Sequence, residues 1–329
     1  MLYSTGRALG AALLCLAPTL AHAEARPWTL GTVAPEGSVY ADLTAQVAQI
    51  IEESAGVRVR RRLGGILGTE SETVDLVAQD RLELYAGSLG AVVDRVPALG
   101  VLEIPYLFPD AQALTAGLRR LGRGRAAALQ APCEKEHLEL VSIGGVGWRD
   151  LSSLGKPILS VEDLRGLRAR SQPGPIHRAM WRSVGATPTD TSLQELAAAL
   201  QTFDLQTLDV PITFLIGTSA HERVRAITRT RHTPQLIVLV ASRRAWSSLT
   251  AAQRERIRAR VDKATERTAV RAGGVDEELL AFLMGRGVRV IDPSPAALLG
   301  FRAIRGRVEE LLEPMDPQQK RILATLRGE

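Results

Sequence analysis

The segment WTLGTVAPEGSVYADLTAQVAQIIEESAGVRVR, residues 28–60, reads as a strand, a helix and a second strand. Residues 28–33 alternate as a short strand and are followed by the turn Pro35-Glu-Gly37. Val39, Leu43, Val47 and Ile50 then recur at helical spacing, between a cap at Ser38 and a stop at Gly56. Val57-Arg-Val-Arg60 resumes the alternation. Two strands joined through a helix pair in parallel, with the helix lying on the face of the sheet, so the fold class is α/β.

The same alternation continues along the chain. Residues 82–84, 138–143 and 235–241 are further strands, separated by helical stretches near 110–130, 175–184 and 192–202. The expected architecture has mixed sheets with helices on both faces. A long helix starts at Thr250, where Thr250 and Gln253 have capping-box spacing and Ile257, Val261 and Ala264 form one apolar stripe. It is expected to span two lobes, its arginine-rich remainder facing solvent.

Residues 1–23 carry Arg7, an apolar run over 8–17 and the small-residue end Ala21-His22-Ala23, the pattern of an export signal cleaved after Ala23. The run is too short to anchor a bilayer, and no other segment reaches the roughly 20 apolar residues a membrane helix needs. The remaining chain of about 300 residues exceeds the usual single-domain size, so two lobes are expected. Residues 24–147 with 236–275 form lobe I and residues 148–235 with 276–329 form lobe II, a ligand cleft lying between them. Cys133 alone remains after the signal, so no disulfide contributes. The net charge of +5 is spread along the chain and aromatics make up 4%, which argues against nucleic-acid binding.

Catalytic equipment is sparse. His137, His177, His221 and His232 are never paired at i,i+4 spacing, and no metal or cofactor is expected. Ala86-Gly-Ser-Leu-Gly90 lacks the glycine two positions before Ser88 that a nucleophile elbow requires. Gly64, Gly65 and Gly68 are not followed by the Lys-Ser/Thr pair of a phosphate loop. His232, isolated near a strand junction, reads as a hydrogen-bonded structural residue. Arg170 is different, because it ends the strand entry Leu164-Arg-Gly-Leu-Arg-Ala-Arg170, where a planar fork of donors can hold a carboxylate through two parallel hydrogen bonds. Arg149, after Gly147-Trp148, fits either a second carboxylate contact or a surface arginine stacked on Trp148.

A series of landmarks then resembles one family, the periplasmic solute-binding subunits (DctP-type) of tripartite ATP-independent periplasmic (TRAP) transporters. They are Leu30-Gly-Thr-Val-Ala-Pro-Glu-Gly-Ser38, Leu63-Gly-Gly-Ile-Leu-Gly-Thr-Glu70, Leu102-Glu-Ile-Pro-Tyr-Leu-Phe108, Lys156-Pro-Ile158, Glu162-Asp-Leu-Arg-Gly-Leu-Arg-Ala-Arg170, Ala199-Leu-Gln-Thr202, Ile227-Thr-Arg-Thr-Arg-His232 and Trp246-Ser-Ser-Leu-Thr250. The resemblance implies a periplasmic, monomeric, two-lobed trap that is not an enzyme and is not membrane-embedded. It would close on a small organic acid and deliver it to a large and a small membrane subunit. Arg170 matches the family's carboxylate anchor and Arg149 its helper, while the loops around Pro35 and from Tyr85 to Ser88 would contribute from the other lobe.

The departures are as informative. The family continues Ala-Leu-Gln-Thr with Gly-Val-Val-Asp-Gly-Gln-Glu-Asn-Pro, whereas this chain reads Phe203-Asp-Leu-Gln-Thr-Leu-Asp-Val-Pro211, so Val210 replaces a ligand-binding asparagine. Leu193 stands where an aromatic is common, and Asp80-Arg-Leu-Glu83 replaces a Gly-x-x-Asp turn. An apolar Val210 leaves polar ligand atoms unpaired, at about 1–3 kcal/mol each, and points to a monocarboxylate with an apolar portion. The other readings are a periplasmic sensor or lipophilic-ligand carrier using the same cleft without transport, and, more distantly, a secreted hydrolase.

Overall fold

The computed structural model describes residues 26–202 and 204–329. The export signal expected over 1–23, with its cleavage after Ala23, lies outside the described residues, as does Phe203. Among the described residues no helix is long and apolar enough to cross a membrane.

Nine strands form one mixed sheet: β1 (Trp28–Gly31), β2 (Val59–Arg62), β3 (Leu84–Ser88), β4 (Leu138–Ser153), β5 (Arg168–Ser171), β6 (Thr187–Asp190), β7 (Thr207–Val210), β8 (Ala226–Ser242) and β9 (Arg289–Ile291). Their order is β2-β1-β3-β8-β4-β7-β5-β6, with β9 beside β8. The opening strand-helix-strand unit is present as read, β1 pairing in parallel with β2 and β3. The connecting helix, Val39–Ala55, is capped by Ser38, whose Oγ accepts from the Ala41 N–H at 3.1 Å, and it stops at Gly56. A second parallel group, β7-β5-β6, forms the opposite flank.

Two long antiparallel strands, β4 and β8, run from one flank to the other. Leu138 to Gly145 pair with Leu236 to Ser242 beside the first flank, and Trp148 to Ser153 pair with Ala226 to Pro234 beside the second. Register shifts fall between Gly145 and Trp148 and between Arg149 and Leu151, so the ladder is broken where the strands cross between the halves. The sequence reading had divided β8 at Pro234 and ended β4 at Ile143. Pro234 is tolerated inside a long strand because it sits at this shift, opposite Trp148.

Period-2 alternation sends each crossing strand's side chains into different cores. Ile237, Leu239 and Ala241 pack with Leu43, Val47, Ile51, Ile257 and Val261, under the Val39–Ala55 helix and the long Ala251–Gly285 helix. Leu236, Val238 and Val240 pack on the other face with Leu99, Leu102, Leu129 and Phe301. In the second half, Leu208 and Val210 join Leu196, Leu200, Leu215 and Leu283 in a third cluster. Gly144 is required at the crossing, since a Cβ there would lie 2.1 Å from Thr265 Cγ2 of the long helix. The long helix starts as its sequence indicates, with Thr250 Oγ1 accepting from Gln253 N–H and Gln253 Oε1 accepting from Thr250 N–H.

Two helical readings change. The stretch 110–130 is two helices, Ala111–Arg120 and Ala127–Lys135, broken at Gly122–Gly124. The helix expected from 192 begins at Leu196, because Ser192 and Glu195 instead bond each other's backbone N–H groups just ahead of it. The last helix, Pro317–Arg327, packs back on the first half, where Arg120 Nη1 donates to Leu326 O at 2.7 Å.

Candidate functional site

A cleft runs between the two halves where β5, β7 and the crossing strands approach β3. From the first half it is lined by Glu70, Ser88, Gly90 and Ala91, and from the second by Arg170, Gln172, Leu193 and Val210. Arg149 and Gln235, on the crossing strands, form its floor. About 60 Å³ of free space remains inside, and a contiguous mouth of about 180 Å³ is lined by Pro35, Leu193, Gln194 and Phe214.

The two arginines in the cleft differ sharply. Arg149 is 2% exposed and heavily bonded: Nε donates to Asp209 Oδ2 at 2.8 Å, and Nη2 to Asp209 O at 2.6 Å. Its Nη1 donates to Gln172 Oε1 at 2.8 Å and Gln235 Oε1 at 3.3 Å. Asp209 is fully buried, and His232 Nε2 lies 3.3 Å from its Oδ2, the imidazole's Nδ1 being 2.9 Å from Thr230 Oγ1. Burial alone would raise the Asp209 pKa, but the charge of Arg149 and the His232 hydrogen bond outweigh it and hold the carboxyl well below the usual range.

Arg170 is equally buried, yet among the described residues it makes no ion pair within 4 Å and one hydrogen bond, from Nη2 to Thr191 O at 2.7 Å. Its Nε is buried without a partner. Burial first, then the neighbouring Arg149 charge, pushes its pKa down to about 10. An unpaired buried guanidinium is costly, and this one lies at the wall of the cleft.

The remaining expected contacts take distinct places. Ser88 lines the cleft, but its hydroxyl donates to Glu70 Oε2 at 2.8 Å and its N–H to Glu70 Oε1 at 3.0 Å. Tyr85 lies behind that wall, fully buried, its hydroxyl donating to Glu70 Oε1 at 2.7 Å. Burial, followed by the Glu70 charge, pushes the Tyr85 pKa far above its ordinary value. Pro35 stands at the mouth, and Leu193 joins mouth and cleft. Val210, with Pro211 and Phe214, forms an apolar wall, Phe214 stacking on Tyr40 at 4.9 Å between ring centroids.

Sequence reasoning did not single out Glu70, Gln172, Asp209 or Gln235. Glu70 resembled an ordinary first-turn acid of the Glu70–Ala78 helix, and Asp209 a polar residue in a strand. A capped helix start turned toward Arg170 is the one signal that could have drawn notice to Glu70. Among the described residues no group of three or more His, Cys, Asp or Glu side chains is arranged to hold a metal ion.

Comparison with known proteins identifies the family and the fold. Residues 30–311 match the family described as bacterial extracellular solute-binding protein, family 7. A solute-binding protein of Verminephrobacter eiseniae is 26% identical over 258 residues, covering 74% of this chain and 73% of its own. The 2,3-diketo-L-gulonate-binding periplasmic protein YiaO of Escherichia coli is 27% identical over a shorter stretch, 44% of this chain and 43% of that protein. A TRAP periplasmic solute-binding protein from Sulfitobacter sp. NAS-14.1, solved with bound β-D-galacturonate, superposes with a TM-score of 0.82 at 20% identity, over 92% of this chain and 100% of that one.

Proposed function

Because the chain belongs to family 7 of the bacterial extracellular solute-binding proteins, whose members bind substrates for transporters and are not enzymes, we propose that it captures a small organic acid for a TRAP transporter. The acid's carboxylate sits against Arg170, and the closed form is handed to a large and a small membrane subunit. The observation that carries this reading is the buried Arg170, with an orphaned Nε and, among the described residues, no carboxylate within 4 Å. A ligand carboxylate supplies the missing charge and the missing acceptors together.

The surrounding groups narrow the ligand. Glu70 faces the cleft as an acceptor already holding Tyr85 and Ser88, so it repels a second carboxylate and favours a hydroxyl or other donor. Val210, Leu193 and Phe214 offer no hydrogen bonds. The ligand class is therefore a monocarboxylate with at least one donor and an apolar portion. Galacturonate and 2,3-diketo-L-gulonate, bound by relatives, share the single carboxylate but are richer in hydroxyls than this wall favours.

Lobe I is assigned to residues 26–147 with 236–275, and lobe II to 148–235 with 276–316, where the sequence reading had carried lobe II to 329. The final helix is assigned to the first lobe, on which it packs. The hinge lies at the register shifts of β4 and β8. A ligand touching Arg170 on one side and Glu70 on the other stabilises closure through its contacts to both lobes. Read as an export signal, residues 1–23 support a periplasmic location for a protein that acts as a monomer.

A thermal-shift screen of organic acids tests the reading. An acid at about a hundred times its dissociation constant stabilises the protein by about 2.7 kcal/mol. Stabilisation by neutral or cationic compounds alone would defeat it.

A further inference from the structure

Two side-chain amides, Gln172 and Gln235, line the same cleft as Val210. Arg149 Nη1 is bonded to the side chains of both Gln172, which follows β5, and Gln235, within β8. A guanidinium only donates, so the atom each glutamine turns toward it must be its carbonyl oxygen. Each Nε2 amide therefore points away from Arg149. Neither Nε2 has a hydrogen-bond partner among the described residues, neither is sealed from solvent, and both side chains line the cleft alongside Arg170.

The packing holds this arrangement in place. Arg149 cannot swing aside, since Nε and Nη2 are both fixed by Asp209. Across the cleft, a Cβ at Gly90 would lie 1.9 Å from Gln172 Nε2, so only a glycine there leaves that amide its position. We propose that Arg149 is a positioning residue that turns the Gln172 and Gln235 amides into donors, and that these two amides and Arg170 together form the carboxylate seat. Arg149 then serves the ligand without touching it. This rests on the reading of the cleft as a carboxylate site, and it adds two neutral donors from strands other than the one that lost its amide.

The test uses acetate, the minimal carboxylate, with the full chain labelled with nitrogen-15 and a sodium chloride control. Gln172→Met and Gln235→Met identify the two side-chain amide signals, and Arg170→Met the Arg170 Nε–H. Titration with sodium acetate is expected to move all three together and saturably, and Arg170→Met to remove every response. Gln235→Glu, similar in shape but presenting an acceptor, is expected to weaken acetate binding at least about tenfold. Arg149→Lys keeps a cation beside Asp209 but cannot hold both carbonyls, and it is expected to shrink the amide responses while that of Arg170 persists. If Arg170 responds in the wild type and neither amide does, the positioning role is wrong and the carboxylate reading stands. If none of the three responds, both are wrong.

Discussion

Arg149 and Arg170 are both buried at the cleft between the halves, but one is bound into the protein and the other is left short of partners. Arg149 has an aspartate, a backbone carbonyl and two amides; Arg170 has one carbonyl and an empty Nε. Residue type and burial are the same in both, so the difference lies in what each was given to hold. The first guanidinium is held by its own counter-ion, whereas among the described residues the second has no carboxylate within 4 Å. The contrast rests on Asp209, which sits against the first guanidinium and not the second.

The largest expected effect breaks the framework side. Arg149→Met leaves Asp209 buried with His232 as its remaining side-chain partner and its Oδ1 already without one, and it should cost about 3–5 kcal/mol of stability in urea unfolding. A loss below about 1 kcal/mol would mean that Arg149 is not structural. Arg170→Met probes the other side. Carboxylate affinity should fall by about 2–5 kcal/mol in calorimetry, while the stability of the ligand-free protein stays level or rises, because an unpaired buried charge is removed.

Val210→Asn sharpens the comparison by putting an amide on the strand beside that of Arg170. It should improve binding of hydroxyl-rich acids by about 1 kcal/mol relative to apolar ones, and an unchanged preference would remove Val210 from ligand selection. A pH effect of another kind concerns Asp276, which lines a separate cavity of about 460 Å³ with Asp150, the neighbour of Arg149 on β4. Burial, then the charges of Asp150 and Glu277, raise the Asp276 pKa from 3.8 to about 7, against a lowering contribution from Arg231. The folded state keeps a proton that the unfolded state has lost, so stability should fall as pH rises from about 4 to about 7 and level off above. Asp276→Asn should flatten that slope, and an unchanged profile would assign it to another group.

Much of the fold was readable because its signals are local. Ser38, Gly56, Thr250 and Gln253 act within one helical turn, and each takes its expected role. Arg170 was singled out because a strand end with alternating neighbours is also a local pattern, and it lines the cleft. The crossing strands were cut short, since Pro234 looks like a strand breaker until its partner Trp148 is known. Asp209 and Gln235 went unnoticed for a related reason: they meet Arg149 from 60 and 86 residues away, across pairings no single segment reveals. The family resemblance marked Val210 as a departure, but it could not show that Gln172 and Gln235 line the same cleft.

The central claim, that Arg170 is the vacant anchor of an acid-binding cleft, is tested most directly by thermal shift of the wild type and Arg170→Met against matched organic acids and their methyl esters. At least one acid should raise the wild-type Tm by about 5 °C at a hundredfold excess over its Kd, with no ester doing so and Arg170→Met responding to neither. An acid that stabilises both proteins equally, or an ester as effective as its acid, would contradict it.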